Sequence, residues 1–459
     1  MKILVLNGSP KGENSITLQT VRYLEKRFTG YEDTRFEILH VGQRIKSIEK
    51  DFSKVKTALE QAELLLFTYP VYTFLMPSQL HRFLELMKEY GVDVSGKYAA
   101  QITTSLHFYD VTAHRFIRDN CDDLGLKYLG GLSADMEDLL KPEGRKQAAD
   151  FFEHLLWQVR NKLWERPFYP PLAEQTPFVP APLKPMRTEK PEFRVGRKIA
   201  IVADLRSEAL REMVERFRAV TDDQTVLVDL SEFPFAGGCL GCFHCAADGT
   251  CIYKDGFDSF LREKIQSTEA IVYAFSIRDH SMGSRMKLFD DRQFCNGHRT
   301  VTMGKPVGYI IDGSYDAEPN LRMLIEARAE VGGNYLAGVA TNETDPAAEL
   351  EALALRLRYA LPSGASEGFQ LPRTFYGVGG MKVFRDLIYM MQGLMREDHR
   401  FYKKHGFYDF PQKRRGRMIG MYLVGAMMRS RKLQKKLGNK MTEGMLLPYK
   451  KVLDETQPH

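Results

Sequence analysis

Lys2-Ile3-Leu4-Val5-Leu6-Asn7-Gly8-Ser9-Pro10-Lys11-Gly12-Glu13-Asn14-Ser15-Ile16-Thr17 decides the fold. A short apolar run, 3–6, gives way to a turn of small and polar residues, and a helical pattern follows over 15–27. That order, buried strand, tight turn, helix, is the first half of a βαβ unit. The turn is also chemically loaded. A phosphate needs several N–H donors converging on one point, and a turn entering a helix N-terminus supplies them. Ser9, Ser15 and Thr17 add hydroxyls and Lys11 adds charge. The plainer reading is a βα turn in which Asn14 or Ser15 caps the helix. The loop has neither the Gly-x-Gly-x-x-Gly spacing of a dinucleotide fold nor the Gly-Lys-Ser/Thr ending of a P-loop, so a monophosphate ligand suits it better.

Outward from this stretch the alternation continues. Strands are expected at 36–41, 64–67, 99–104 and near Tyr128, and helices at 52–62, 77–87, 110–124 and 142–164. Strands alternating with helices of this length predict a parallel sheet covered on both faces. Eight prolines then fall between Pro167 and Pro191, which reads as an extended, semi-rigid linker.

Beyond it the pattern restarts. Lys198-Ile199-Ala200-Ile201-Val202 mirrors Lys2-Ile3-Leu4-Val5-Leu6. A helix at 207–220 and strands at 226–229, 271–275, 306–311 and 336–339 follow. Residues 275–291 (FSIRDHSMGSRMKLFDD) align without gaps on 69–85 (YPVYTFLMPSQLHRFLE), sharing Met76/Met282, Ser78/Ser284 and Phe83/Phe289. Both stretches follow an apolar strand and open a helix, so the chain reads as a tandem duplication. The expected organisation is one α/β domain over 1–166, a linker over 167–196, a second α/β domain over 197–362 and a basic helical tail over 363–459.

Composition agrees with this plan. The 459 residues, 44% hydrophobic and 27% charged, suffice for two cores. The net charge of +6 is uneven: from Leu361 onward there are 19 Lys and Arg against 8 Asp and Glu, so the body is mildly acidic. No apolar run approaches the roughly 20 residues that cross a bilayer. The start of the chain turns polar too soon for a secretory signal, and a cytoplasmic protein is expected. The apolar stretch 418–428 is flanked by basic residues. Its simplest reading is a helix packed on the body. The alternative is a peripheral membrane or nucleic-acid contact, and no aromatic interleaving favours nucleic acid.

Gly8-Ser9-Pro10-Lys11 followed by Asn14-Ser15-Ile16-Thr17 resembles the phosphate loop of NAD(P)H-dependent FMN reductases of the flavodoxin-like superfamily. The resemblance implies two flavodoxin-like doubly wound parallel sheets, with FMN in the first. It implies a Pro-x-Tyr edge to the isoalloxazine, matched by Pro70-Val71-Tyr72, and a third loop, here Thr103-Thr104-Ser105. The family favours glycines in that third loop, and 103–109 has none. The implied activity is hydride transfer from NAD(P)H to the flavin, then reduction of a small-molecule acceptor such as a quinone or nitro compound. The flavin carries the chemistry and no side chain is singled out as catalytic. The rival reading is a non-enzymatic electron carrier or redox sensor whose basic tail docks a redox protein.

Cys239-Leu240-Gly241-Cys242-Phe243-His244-Cys245, with Cys251 after five further residues, is the second chemical signal. In a reducing compartment, thiols this dense are metal ligands before they are disulfides. The spacing favours a [4Fe–4S] cluster; zinc or free thiols are the alternatives. The segment resembles the compact cysteine motif of iron–sulfur flavoproteins, which lies after strand two, as here. In that family flavin and cluster of different subunits approach each other, which implies a homodimer or, with this duplication, an internal pseudo-dimer. The halves have complementary losses: Asp204-Leu205-Arg206-Ser207 stands where the first half has Asn7-Gly8-Ser9-Pro10. Asp279, His280, Asp290, Asp291, Cys295 and His298 cluster near the second half's third strand, and a subunit-like contact would bring His280 toward the flavin.

Overall fold

The computed structural model describes residues 1–28, 30–31, 33–185, 198–221, 225–361, 372–410 and 414–427. The first half runs β1 (Lys2–Asn7), α1 (Ile16–Phe28), β2 (Arg35–Leu39), α2 (Val41–Lys50), α3 (Ser53–Gln61), β3 (Leu64–Pro70), α4 (Ser78–Glu89), β4 (Tyr98–Ser105), α5 (Asp110–Asp123), β5 (Lys127–Asp135) and α6 (Pro142–Arg160). The second runs β6 (Ile199–Asp204), α7 (Glu208–Val220), β7 (Thr225–Asp229), α8 (His244–Asp248), α9 (Phe257–Phe260), β8 (Ala270–Ser276), α10 (Gly283–Arg292), β9 (Pro306–Asp312), α11 (Pro319–Gly332), β10 (Tyr335–Thr341) and α12 (Pro346–Ala360). After these come α13 (Phe375–Met390), α14 (Arg396–Lys404) and α15 (Arg415–Met427).

Each half is an all-parallel five-stranded sheet, ordered β2-β1-β3-β4-β5 and β7-β6-β8-β9-β10, the flavodoxin-like order. Ile3, Leu4, Val5 and Leu6 are wholly buried, as are Ile199, Ala200, Ile201 and Val202. Central parallel strands are covered on both faces, which is why they read as continuous apolar runs rather than alternating ones. The switch point between β1 and β3 opens a crevice at the strands' C-terminal ends, where the loop 8–15 lies.

The expected strands are all present. Helix α2 was not expected: it follows β2 directly, with Val41, Ile45 and Ile48 turned inward at helical spacing. The linker is extended but not free-running. Phe168 is sandwiched by the guanidinium groups of Arg115 and Arg118, at 3.7 and 3.6 Å from its ring centre. The Phe168 and Tyr169 N–H groups donate to Asp122, Tyr169 Oη donates to the Ala317 carbonyl, and Leu183 packs on the second core. Proline supplied the extended backbone and the aromatics between the prolines tie it down. Residues 186–197 lie outside the described set.

The two sheets share one compact unit, Met1–Phe401, and residues from Tyr402 form another. Part of the expected tail therefore belongs with the sheets: α13 packs on α11, with Glu330 accepting from the Thr374 and Gly377 N–H groups. The apolar stretch 418–427 forms most of α15, within that second unit, and Met428 lies outside the described residues.

The halves meet through a pseudo-two-fold seam of α4 against α10, the two helices of the gapless alignment. Glu85 accepts from Ser284 N (2.8 Å) and Oγ (2.6 Å), and its counterpart Asp291 accepts from Ser78 N (2.7 Å). Each helix thus caps the other's N-terminus with a buried carboxylate. The preceding loops match too. Thr73 and Phe74 have φ of +40° and +71°, and Asp279 and His280 have +53° and +62°. Consecutive left-handed non-glycine residues cost about 1–3 kcal/mol each. Here they are held from across the seam: Thr73 donates to Asp291, Lys88 reaches Asp279, and Asp123 holds His280, with Glu318 of the second half on its other side.

Candidate functional site

The turn after β1 is braced by a buried asparagine. Asn7 Oδ1 accepts from Ser9 N (3.2 Å), and Nδ2 donates to the Gly12 carbonyl (3.0 Å). Gly12 has φ +55°, a left-handed bend that favours glycine, and a Cβ there would crowd the end of the Gln43 side chain at 2.4 Å. Ser15 Oγ accepts from Leu18 N (3.3 Å), capping α1. The plain capping role is therefore real, and it coexists with a cradle. Ser9, Ser15 and Thr17 are 1–2% exposed and line a cavity together with Lys11 and Ile16. Lys11 makes no ion pair with a described residue; its ammonium lies 5.3 Å over the Phe243 ring. Asn14 is exposed and is not part of the cavity wall.

Pro70, Val71 and Tyr72 border the same cavity. Val71 N donates to the Thr104 carbonyl (3.2 Å), and Tyr72 and Leu75 exchange backbone hydrogen bonds of 2.7 and 3.0 Å. Burial pushes the Tyr72 phenol well up from its ordinary value, so it stays a neutral donor. In the third loop Thr104 and Ser105 reach the cavity, whereas Thr103 faces away and pairs with His114 Nε2 at 2.8 Å. Burial lowers the His114 pKa to about 4, which keeps that ring neutral. The glycines missing from 103–109 are replaced by His107 and Tyr109, which take φ of +56° and +53° themselves.

Cys239, Cys242, Cys245 and Cys251, on the loop after β7, line this same cavity, of about 440 Å³. The loop is anchored by Arg292, almost wholly buried, whose guanidinium pairs bidentately with Asp255 (2.8 and 2.7 Å) and donates to the Gly237 carbonyl. Gly241, at φ +60°, lies so close to Tyr72 that a Cβ there would be 1.9 Å from the phenol oxygen. The cysteine loop of one half therefore rests directly on the Pro-x-Tyr edge of the other. Cys245 Sγ donates to the Phe294 carbonyl (3.0 Å). Burial pushes the Cys245 thiol up to about 11, and Cys239 further still.

As a donor set the four thiols fit a soft metal. Among the described residues, no three of them gather within 4.8 Å of one another, the spacing a single ion imposes. The one such trio of ligand groups is His81, Glu85 and Asp279 in the seam. There Glu85 already pairs with Arg82 (2.8 Å) and Asp279 with Lys88 (2.8 Å), so the trio belongs to an ion-pair network.

The site's outer wall could not be read from the motifs. Phe384, Leu387, Met391 and Met395, on α13 and the residues after it, close the cavity. Phe384 packs on Phe108 (4.4 Å between ring centres) and on His298 (4.8 Å), touching both halves at once. His298 borders the cavity, with Asp398 Oδ2 3.4 Å from its Nδ1. Cys295 is also in the wall, its thiol pushed up to about 12 by burial. His280 is not at the site. It is buried in the seam between Asp123 (3.0 Å) and Glu318 (2.8 Å), because its loop turns inward against α5 rather than toward the cavity.

The second half's corresponding turn is occupied by its own contacts: Asp204 is 3% exposed and paired with Arg206 and Arg285, and Ser207 and Ser276 both donate to Asp312.

A family profile described as NADPH-dependent FMN reductase matches residues 1–115. No curated protein matches the chain. Among solved structures, an FMN-dependent NADH-azoreductase from Bacillus anthracis in complex with FMN is 14% identical, covering 35% of this chain and 98% of its own, with a TM-score of 0.27. An NADH:FMN oxidoreductase in its apo form is 18% identical, covering 38% and 96%, with a TM-score of 0.31. General stress protein 14 from Treponema denticola, in complex with FMN, is 12% identical, covering 35% and 98%, with a TM-score of 0.27. The profile match thus falls within the first of two five-stranded parallel sheets of flavodoxin-like order.

Proposed function

We propose that the chain is an FMN-dependent NAD(P)H oxidoreductase whose single flavin site is completed by both halves. The observation that carries this is the shared cavity: the phosphate-binding turn of the first half and the four cysteines of the second line one space. Ser9, Ser15, Thr17 and Lys11 would hold the FMN phosphate, with Pro70, Val71, Tyr72, Thr104 and Ser105 at the ring system. Bound FMN would supply the chemistry, taking a hydride from NAD(P)H and releasing electrons singly or in pairs. The protein's part is to hold the ring edge, keep Tyr72 protonated and exclude water with Phe384, Leu387 and Met391. Cys239, Cys242, Cys245 and Cys251 would hold a [4Fe–4S] cluster as an electron exit, and the final acceptor is a small molecule such as a quinone or nitro compound. The apolar wall around Phe108, Phe294 and Phe384 suits a flat, poorly hydrated acceptor.

The test is anaerobic purification with visible spectroscopy and metal analysis, followed by NAD(P)H oxidation with and without a quinone. A yellow-brown protein with iron, FMN and acceptor-dependent turnover is expected. Colourless protein with one zinc, or bound FMN without NAD(P)H turnover, would refute the proposal.

A further inference from the structure

We propose that the cavity continues past the flavin edge into a pocket inside the second half that binds the electron acceptor, a small, flat, uncharged molecule with hydrogen-bond-accepting oxygens such as a quinone. This rests on the FMN reading above and adds to it the place where the acceptor sits. Two observations carry it. The first is where the cavity goes. Tyr273 on β8, Tyr309 on β9, Phe289 on α10, and Leu324 and Arg328 on α11 line the same space as the loop 9–17. One face of the second sheet is a closed core that includes Val272, Ala274 and Ile310, and the other face borders the cavity. Phe74, two residues beyond Tyr72, has the Arg328 guanidinium 5.4 Å over its ring, so the pocket begins where the Pro-x-Tyr edge ends.

The second observation is a pair of idle donors. Tyr273 and Tyr309 are register partners in mid-strand, with ring centres 5.4 Å apart. Buried positions of a parallel sheet ordinarily carry aliphatic side chains. Extended two residues back, the gapless alignment sets Tyr273 on Phe67, whose register partner is Gln101. Gln101 is engaged by its own half, accepting from Tyr69 Oη (2.6 Å) and donating to the His114 carbonyl (3.0 Å). Among the described residues neither second-half phenol has a hydrogen-bond partner, although Tyr309 is only 7% exposed. A buried hydroxyl left unpaired is costly, and two of them on one cavity call for a ligand that accepts. Burial pushes the Tyr273 phenol up to about 12 and the Tyr309 phenol further, so both stay protonated donors. Charge narrows the ligand's class. Arg328 pairs with Asp290, whose Oδ2 is buried without a partner, so an anion would meet that carboxylate and a cation would meet Arg328. The neighbouring Asp291 is likewise paired, with Lys287. An uncharged molecule with carbonyl or nitro oxygens meets neither penalty, and a flat one suits the aromatic wall of Tyr273, Tyr309 and Phe289.

The experiment is calorimetric titration of the oxidised, FMN-loaded full chain with tetramethyl-1,4-benzoquinone, whose ring has no open position for thiol addition. Saturable binding is expected. Tyr273→Phe and Tyr309→Phe each delete one donor and keep the ring, and each should weaken binding about fivefold, with Y273F/Y309F weakening it about 20- to 30-fold. FMN content and the thermal midpoint should stay at the parent's values, because neither hydroxyl bonds the protein. The two single variants carry the test if the double variant fails to fold. The inference is overturned if the parent shows no saturable binding, if the tyrosine variants bind the quinone like the parent, or if their loss of quinone binding is matched by loss of FMN. The titration needs no turnover. A chain that binds the quinone through these phenols but does not oxidise NAD(P)H would therefore refute the function proposed above and leave this pocket standing.

Discussion

Replacing Ser9 and Thr17 by alanine tests the FMN assignment where the structure makes a quantitative claim. Both residues are 1% exposed and border the cavity beside Lys11, which makes no ion pair with a described residue. A hydrogen bond to a charged group contributes about 1.5–3 kcal/mol, so removing two should cost roughly 3–6 kcal/mol, or about 10²- to 10⁴-fold in FMN affinity. Ser9 has a second duty, since its Oγ accepts from Lys11 N at 3.3 Å. Thr17→Ala alone therefore isolates the phosphate effect and should cost about 10- to 150-fold. The assay is fluorescence titration of apoprotein with FMN and, in parallel, riboflavin. Because the proposed role of Thr17 is confined to the phosphate, the riboflavin affinity of Thr17→Ala should stay within about threefold of the parent's, so that the preference for FMN collapses. Unchanged FMN affinity, or an equal loss for both flavins, would show that the loop 9–17 does not hold a phosphate.

Three further outcomes are expected. Glu85→Ala strands the buried Ser284 N–H and hydroxyl, while Arg82 keeps Glu49 and Glu89, and should destabilise the chain by about 2–4 kcal/mol in denaturant unfolding; an unmoved midpoint would mean that the α4–α10 seam does not hold the halves together. Burial works to lower the His280 pKa, but the hydrogen bonds to Asp123 and Glu318 overcome it and raise it from 6.5 to about 10. The stabilisation from the charged ring is therefore complete below about pH 6.5 and is lost as pH rises through 10, so the stability gap between parent and His280→Gln should shrink over that window; a gap constant with pH contradicts the ion-pair assignment. Cys242→Ser should empty the metal site while FMN stays bound, read by metal analysis and the flavin spectrum, and full metal retention would remove Cys242 from the ligand set.

The parallel strands were readable because burial on both faces leaves them no polar positions, so 3–6, 64–67 and 271–275 stand out without periodicity. Helix α2 carried its own signal in Val41, Ile45 and Ile48, but no capping residue or turn separated it from β2. Local motifs located Ser9, Lys11, Ser15, Ile16, Thr17 and Pro70 to Tyr72 on the cavity because such loops are built from neighbouring residues. They also included Asn14 and Thr103, which the backbone turns away, since motif membership does not specify side-chain direction. Phe384, Met391 and the His298–Asp398 pair were beyond reach because only the packing of α13 against α11 brings them to the site. His280 was misplaced for the same reason: its partners are Asp123, far off in sequence, and Glu318.

The reciprocal capping of α4 and α10 has a genetic corollary. In an assembly of identical chains, a mutation that removes a phosphate loop removes it from every copy, and one that adds cysteines adds them to all. Joining the two copies lifts that constraint. Once Glu85 grips Ser284 and Asp291 grips Ser78 within one chain, the partner is always present, at an effective concentration set by the strap from Phe168 to Leu183 rather than by expression level. Neither copy needs to remain self-complementary, so one half can keep the phosphate loop while the other carries the cysteines.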